Sequence, residues 1–239
     1  QYFPNNIQLL AGKKSQYWIY SDYAHLRRKG RMTDYQKERN SALQKQFTYG
    51  RVTIYGSFEE LVRQAFFLKE KTPTVATVLH TDEHRQYRRV MANLTDAERS
   101  VLLHHTVSSK RARTLTNPLF SVNYLDREIR KDLAEHTRET VQFARNVANQ
   151  MERLAVYRLH HNCFKPFRIN GREEQGITHA EKAGISPSLI QKELKTFFTQ
   201  RRFLSRIRGK LIQEQCVWLR SIATPLKEGP EYLPAYCTA

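Results

Sequence analysis

The sequence has few cysteines and no long apolar run. Its three cysteines, Cys163, Cys216 and Cys237, lie far apart and form no Cys-x-x-Cys pair. We therefore expect neither a zinc site nor a disulfide framework, and we expect the cysteines to be reduced. No stretch approaches the roughly 20 apolar residues that span a bilayer, and no secretory signal is visible. We therefore expect a cytoplasmic protein without a membrane partner.

Acidic residues are scarce relative to basic ones. The 239 residues include 40 Lys and Arg against 23 Asp and Glu, and the resulting net charge of +17 is spread along the chain. Because 40% of the residues are hydrophobic and 11% aromatic, we expect a folded core rather than disorder. A basic surface on a folded protein favours a polyanionic partner, with nucleic acid first and an acidic membrane surface second.

Short apolar runs predict a β-rich first part. Residues 7–11 and 17–26 are expected to form a hairpin, and residues 50–55 a third strand. Apolar residues then recur at helical spacing from Phe58 to Lys69, with Ser57 as the expected N-cap. The predicted order up to this point is three strands followed by one helix.

The next predicted strand ends in an acidic and then a basic segment. Residues 74–79 are apolar and β-branched, which is typical of a buried strand, and Asp82 follows soon after. A carboxylate at the carboxyl end of a buried strand lies at the rim of an α/β sheet, where ligands and metals bind. Arg85 and Arg88 follow directly, which favours an anionic substrate. The competing interpretation is that Asp82 only caps the next helix.

The second half is predicted to be mostly helical. One more strand, residues 101–107, includes two histidines, and a basic loop at 108–116 follows it. The longest helical pattern covers residues 119–161, with a break near 143–146, and residues 187–208 predict a very basic helix. We expect a first domain at 1–169, and a basic helical extension with an extended tail at 170–239.

This element order matches a ribonuclease H-like α/β fold, a mixed sheet with flanking helices. Three segments then resemble bacterial insertion-sequence transposases of the DDE type: HTDEHRQYRR, NPLFSVNYLDREIRKDLAEHTRETVQFARN and MERLAVYRLHHNCFKPFRI. The resemblance covers roughly residues 74–169. It implies a catalytic domain that cuts and joins transposon ends with Mg²⁺ or Mn²⁺, acts on DNA as a homo-oligomer and is associated with the bacterial nucleoid.

The resemblance assigns metal-binding acids residue by residue. Asp82 corresponds to the second acid, and Asp126 is our choice for the third, although an Asp stands where Glu is usual. Glu139 and Glu128 therefore remain competitors, and Glu139 is equally compatible with a surface helix acid paired with an arginine. The first acid is either Asp22 or a residue upstream of Gln1, in which case the first strand of the fold would be missing from this chain.

Twelve cations are predicted to contact DNA, because basic segments around a glycine or beside an acidic site suit phosphates. They are Arg27, Arg28, Lys29, Arg31, Arg85, Arg88, Lys110, Arg111, Arg113, Arg127, Arg130 and Lys131.

Three other functions compete with a transposase. The first is a non-catalytic nucleic-acid-binding protein of the same fold, and the second is a nuclease or integrase that acts on other DNA. The third, a basic structural protein, is disfavoured because acids stand at a strand end and on the long helix. His104 and His105 could contact the site, although a histidine in the core or at a sheet edge is the commoner outcome.

Overall fold

A computed structural model describes residues 5–25, 32–46, 53–71, 77–137, 147–168 and 176–199. The chain divides into two compact units. The first comprises Gln1–Lys29 and Tyr49–Thr140, and the second comprises Gly30–Thr48 and Val141–Ala239. The molecule is of mixed α and β structure, with several helices and two small sheets in the described part.

The first unit opens with the predicted hairpin. Strands β1 (Asn5–Ala11) and β2 (Trp18–His25) pair antiparallel around a turn at residues 12–15, with a bulge between Leu10 and Ala11. Helix α2 (Ile54–Lys71) packs across both strands, because its buried residues repeat at helical spacing on one face. The core between them includes Leu10, Trp18, Tyr20, Ala24, Phe58, Leu61, Val62 and Ala65.

A parallel strand pair forms the second sheet of this unit. Strand β3 (Thr77–Thr81) pairs in parallel with β4 (Leu102–Thr106), with Thr81 opposite Thr106. Two short helices connect them, α3 (Arg85–Ala92) and α4 (Asp96–Val101). Thr95 caps α4 in a capping box with Glu98, which the Thr-x-x-Glu spacing favours.

Helix α5 (Phe120–Asp132) contacts β1, and a short 3-10 helix (Ala134–His136) follows it in the first unit. Ser121, Leu125, Glu128 and Ile129 are its buried residues, and they lie on one face. The Ser121 hydroxyl donates a 2.7 Å hydrogen bond to the carbonyl of Lys13 in the hairpin turn. The start of α5 is thereby attached to the end of the hairpin.

The second unit is helical in its described part. It contains α1 (Asp34–Gln46), α6 (Val147–Cys163), α7 (His179–Lys182) and α8 (Pro187–Thr199). His161 of α6 and His179 of α7 are fully buried and stack at 4.0 Å between ring centroids. Helix α8 starts where the helix of residues 187–208 was predicted to start, whereas residues 200–239 lie outside the described part. No helix of the described ranges is both long and apolar enough to cross a membrane.

Two predictions about elements are wrong. The third strand at residues 50–55 does not form over 53–55, because Thr53 accepts a hydrogen bond from the Gly56 N–H and helix α2 begins at Ile54. Ser57 is consequently not an N-cap but a buried residue inside the helix.

The second error concerns the long helical pattern. The helix from residue 119 ends at Asp132, well before the predicted break. Leu133 adopts an extended backbone conformation, and the Thr137 hydroxyl donates to the carbonyl of Arg130 at 3.1 Å. This side-chain bond satisfies one of the carbonyls that a helix end leaves without a partner.

Candidate functional site

The candidate site is centred on Asp82, the first residue after β3. Its carboxylate accepts a 3.0 Å hydrogen bond from the backbone N–H of His84, and the His84 ring in turn accepts from the N–H of Gln86 at 3.3 Å. The N-cap of α3 is therefore His84 rather than Asp82. Asp82 instead accepts a hydrogen bond within the turn that precedes the helix. The interpretation of Asp82 as a helix cap is therefore correct only in that the residue stabilises this turn.

Tyr87 brings a phenol close to Asp82. Its ring stacks on Phe58 at 4.2 Å and lies 5.0 Å from the ring of His84. Burial, and then the negative charge of Asp82, raise the pKa of Tyr87 to about 12. The phenol therefore stays protonated at neutral pH and cannot compete with Asp82 for a cation.

Three histidines stand at the carboxyl ends of β3 and β4. His80 and His105 stack at 5.7 Å, and His104 Nε2 lies 2.8 Å from the Thr81 hydroxyl. Burial lowers the pKa of His80, helped by the positive charge of Lys13 and by His105. Burial likewise lowers the pKa of His104. The lowered pKa values favour the neutral form of both rings, so these two histidines add little positive charge to this edge of the sheet.

The basic loop at 108–116 is attached directly to the turn that bears Asp82. The Val107 N–H donates to the Thr81 carbonyl at 2.8 Å, and the Ser109 N–H donates to the Glu83 carboxylate at 3.3 Å. The loop thus leaves β4 on the side where Asp82 follows β3. Cations of the loop and cations of α3 therefore lie on the two segments that follow the strand ends.

These cations have no partner within the described residues. Arg85 and Arg88 on α3 are exposed, and neither makes an ion pair or a side-chain hydrogen bond in that part of the chain. The same holds for three exposed side chains of the loop: Lys110, Arg111 and Arg113. We call these five residues the strand-end cations. Their charges are fully available to an anion from solution.

The predicted cations of α5 are instead engaged with neighbouring acids. Arg130 pairs with Asp126 at 2.8 Å, Lys131 lies 3.6 Å from Glu128 and from Asp132, and Arg127 lies 3.9 Å from Glu128. The Arg127 guanidinium also lies over the ring of Tyr124. Because each positive charge is offset by an acid of the same helix, α5 attracts an anion less strongly than the strand-end cations do.

The structure separates the candidate acids by burial. Asp22 is 5% exposed and is the register partner of Gln8, whose amide donates to the Ile54 carbonyl. Asp126 is half-buried, whereas Glu128 on the inner face of α5 is 6% exposed. By sequence Glu128 was only a competitor for the third acid, but it lies on the same helix face as Leu125 and Ile129, and this spacing is a signal of its inward position.

No hydrogen bond or ion pair among the described residues joins these acids to Asp82. In the described part of the chain, the interactions of the Asp82 carboxylate are with His84 and Tyr87 and not with Asp22 or with α5. Two sets of predicted residues lie outside the described residues and are not placed: Glu139, and the basic turn formed by Arg27, Arg28, Lys29 and Arg31.

A metal ion needs several ligands close together. Among the residues that the structure describes, no three His, Cys, Asp or Glu side chains are grouped so that they could hold one. The Mg²⁺ or Mn²⁺ that the resemblance implies stays a prediction. We therefore assign no step of chemistry to a metal.

Comparison with known proteins gives no relative to guide the assignment. No protein-family model matches the chain, and no match is found among curated proteins or solved structures.

Proposed function

We propose that the chain is a DDE-type DNA transposase with a ribonuclease H-like catalytic domain, which cuts and joins insertion-sequence ends. The observation that carries this proposal is the surroundings of Asp82. A carboxylate without an ion-pair partner among the described residues stands at a strand end, and five cations that likewise lack one follow on the adjoining segments. An acid placed among cations suits chemistry on a phosphate backbone better than simple electrostatic adhesion.

In the proposed site, the strand-end cations and Asp82 have different roles. Phosphates bind at the exposed strand-end cations, whose charge no acid of the described residues offsets. This binding positions the DNA backbone next to Asp82. The hydrogen bond from the His84 N–H fixes the orientation of the carboxylate, so that one of its oxygens is held by the turn.

The test is the substitution Asp82→Asn in the full chain, assayed for strand cleavage and strand transfer on DNA that carries the insertion-sequence ends. Asparagine retains an oxygen that accepts from His84 but removes the negative charge. We expect loss of cleavage with folding and DNA binding retained. The matched control is Asp96→Asn, because Asp96 is a fully exposed acid of α4; this variant should cleave normally. Normal cleavage by Asp82→Asn would refute the proposal.

A second function is favoured by one observation. The described residues contain no group of three metal-ligating side chains, which suits a nucleic-acid-binding protein of the same fold without catalysis. The same assay separates the two functions. A wild-type chain that binds these DNA ends but never cleaves them with Mg²⁺ or Mn²⁺ present would support the binding protein.

A further inference from the structure

Helix α6 carries a row of aromatic rings on its surface. Tyr157 and His160 lie three residues apart on α6. Phe164 directly follows the last residue of the helix, and its backbone N–H donates to the His160 carbonyl at 3.0 Å, which keeps its ring next to His160. The ring centroids of Tyr157 and His160 are 6.3 Å apart, and those of His160 and Phe164 are 6.4 Å apart. We call these three residues the aromatic row.

The aromatic row is open to solvent. His160 is exposed, Phe164 is 50% exposed and Tyr157 is half-buried. The rings of His160 and Phe164 are nearly parallel, with 14° between their planes. The flat faces of these rings are exposed to water, so they contribute little to the core of the second unit. Exposed apolar surface of this kind is typical of a binding site.

The surroundings of the row are basic. Residues 153–168 contain four cations, Arg153, Arg158, Lys165 and Arg168, and not a single Asp or Glu. Beyond the helix, the side chains of Arg168 and Lys182 both lie over the ring of Phe167, at 5.5 Å and 5.4 Å. These charges oppose the negative end of the α6 dipole, which would otherwise repel an anion from the end of the row.

We infer that the aromatic row of α6 is a stacking surface for the bases of single-stranded nucleic acid. Exposed rings beside cations are the combination that such ligands require, because the bases stack on rings while the phosphates meet the positive charge. A duplex offers its phosphates but not its base faces, so the row adds affinity for single strands only. This inference rests on the proposed action on DNA and locates a contact for a strand end that is no longer paired.

The experiment compares single-stranded and duplex DNA on the full chain. Fluorescence anisotropy would measure the binding of labelled oligothymidine and of a labelled mixed-sequence duplex. Phe164→Leu keeps an apolar side chain but removes the ring, and His160→Gln keeps a polar side chain without a ring. We expect each to weaken oligothymidine binding about 10-fold and to leave duplex binding unchanged.

Two variants serve as controls. Val156 is 63% exposed on the same helix but is not part of the row, so Val156→Ala should bind both ligands like the wild type. Phe164→Tyr keeps a ring at the end of the row and should retain oligothymidine binding. Circular dichroism checks that the variants fold. If Phe164→Leu does not fold, His160→Gln, which changes an exposed residue, still allows oligothymidine binding to be compared with duplex binding.

The binding results distinguish a failure of the stacking surface from a failure of the proposed action on DNA. Wild-type oligothymidine binding that Phe164→Leu and His160→Gln leave unchanged would overturn the stacking surface. A wild type that binds duplex but not oligothymidine would overturn it as well, while the action on DNA would stand. A wild type that binds neither would overturn both proposals.

Discussion

The strand-end cations and the cations of helix α5 differ in whether acids of the same segment offset their charge. Arg85 and Arg88 are exposed and make no ion pair within the described part of the chain, whereas Arg130 pairs with Asp126 at 2.8 Å. Both regions belong to the first unit. The difference teaches that the number of basic residues does not locate a phosphate-binding surface, because an ion pair within one helix already offsets the charge of its cation.

The largest effect should be on DNA affinity. The triple variant Arg85→Gln, Arg88→Gln, Lys110→Gln should bind duplex DNA about 100-fold more weakly at low salt, because three phosphate contacts are lost. The matched variant Arg127→Gln, Arg130→Gln, Lys131→Gln removes the same charge from α5 and should lose only a few-fold. Fluorescence anisotropy at one fixed salt concentration measures both. Equal losses would show that ion pairing within α5 does not matter.

A second prediction uses pH to sharpen the description of the Asp82 turn. The pKa of Tyr87 is raised from 10.0 to about 12, so folding favours the protonated phenol. The resulting stabilisation is fully present below about pH 10 and is lost as the pH rises to about 12. Urea denaturation over this range, without added divalent ions, should show a loss of roughly 2 kcal/mol in the free energy of unfolding.

Two variants check the cause of that pH dependence. Tyr87→Phe should remove most of it, because no phenol is left to ionise at this position. Asp82→Asn should reduce it only in part, since burial raises the pKa more than the charge of Asp82 does. A full pH dependence in Tyr87→Phe would assign the effect to another group.

The smallest effects should distinguish the two acids of α5. Glu128→Gln replaces a buried acid that lies near two cations, and we expect a loss of about 1 kcal/mol in the free energy of unfolding. Asp126→Asn removes the ion pair with Arg130, whose two half-exposed side chains are one helical turn apart. We expect a loss of less than about 0.5 kcal/mol in the free energy of unfolding. Chemical denaturation of both variants at neutral pH provides the comparison. A larger loss for Asp126→Asn would reverse the assignment of the inner acid.

Elements that depend on local pattern could be predicted from the sequence. The hairpin follows from two short apolar and aromatic runs with a turn between them, β3 from an apolar β-branched run and β4 from a short apolar run. The Thr95 capping box follows from its spacing. The start of α2 could not be predicted in this way. Residues 52–54, Val-Thr-Ile, read as a strand, but the Thr53 hydroxyl caps a helix and the packing of α2 on the hairpin favours that helix.

The candidate site could be predicted only in part. The position of Asp82 at a strand end follows from the apolar run before it, and the ion pair between Asp126 and Arg130 follows from their spacing. The hydrogen bond that attaches the basic loop to Glu83 joins residues 26 positions apart, and it depends on the parallel pairing of β3 with β4. No local pattern contains that information. The same is true of the effect of the Asp82 charge on the pKa of Tyr87.

The salt dependence of duplex binding tests the central claim most directly, namely that the strand-end cations contact DNA phosphates. For the wild type, the logarithm of the binding constant should fall steeply and linearly with the logarithm of the salt concentration. The triple variant of Arg85, Arg88 and Lys110 should lower this slope by about 3, one for each phosphate contact, while the α5 variant should leave it nearly unchanged. An unchanged slope in the strand-end variant would contradict the claim.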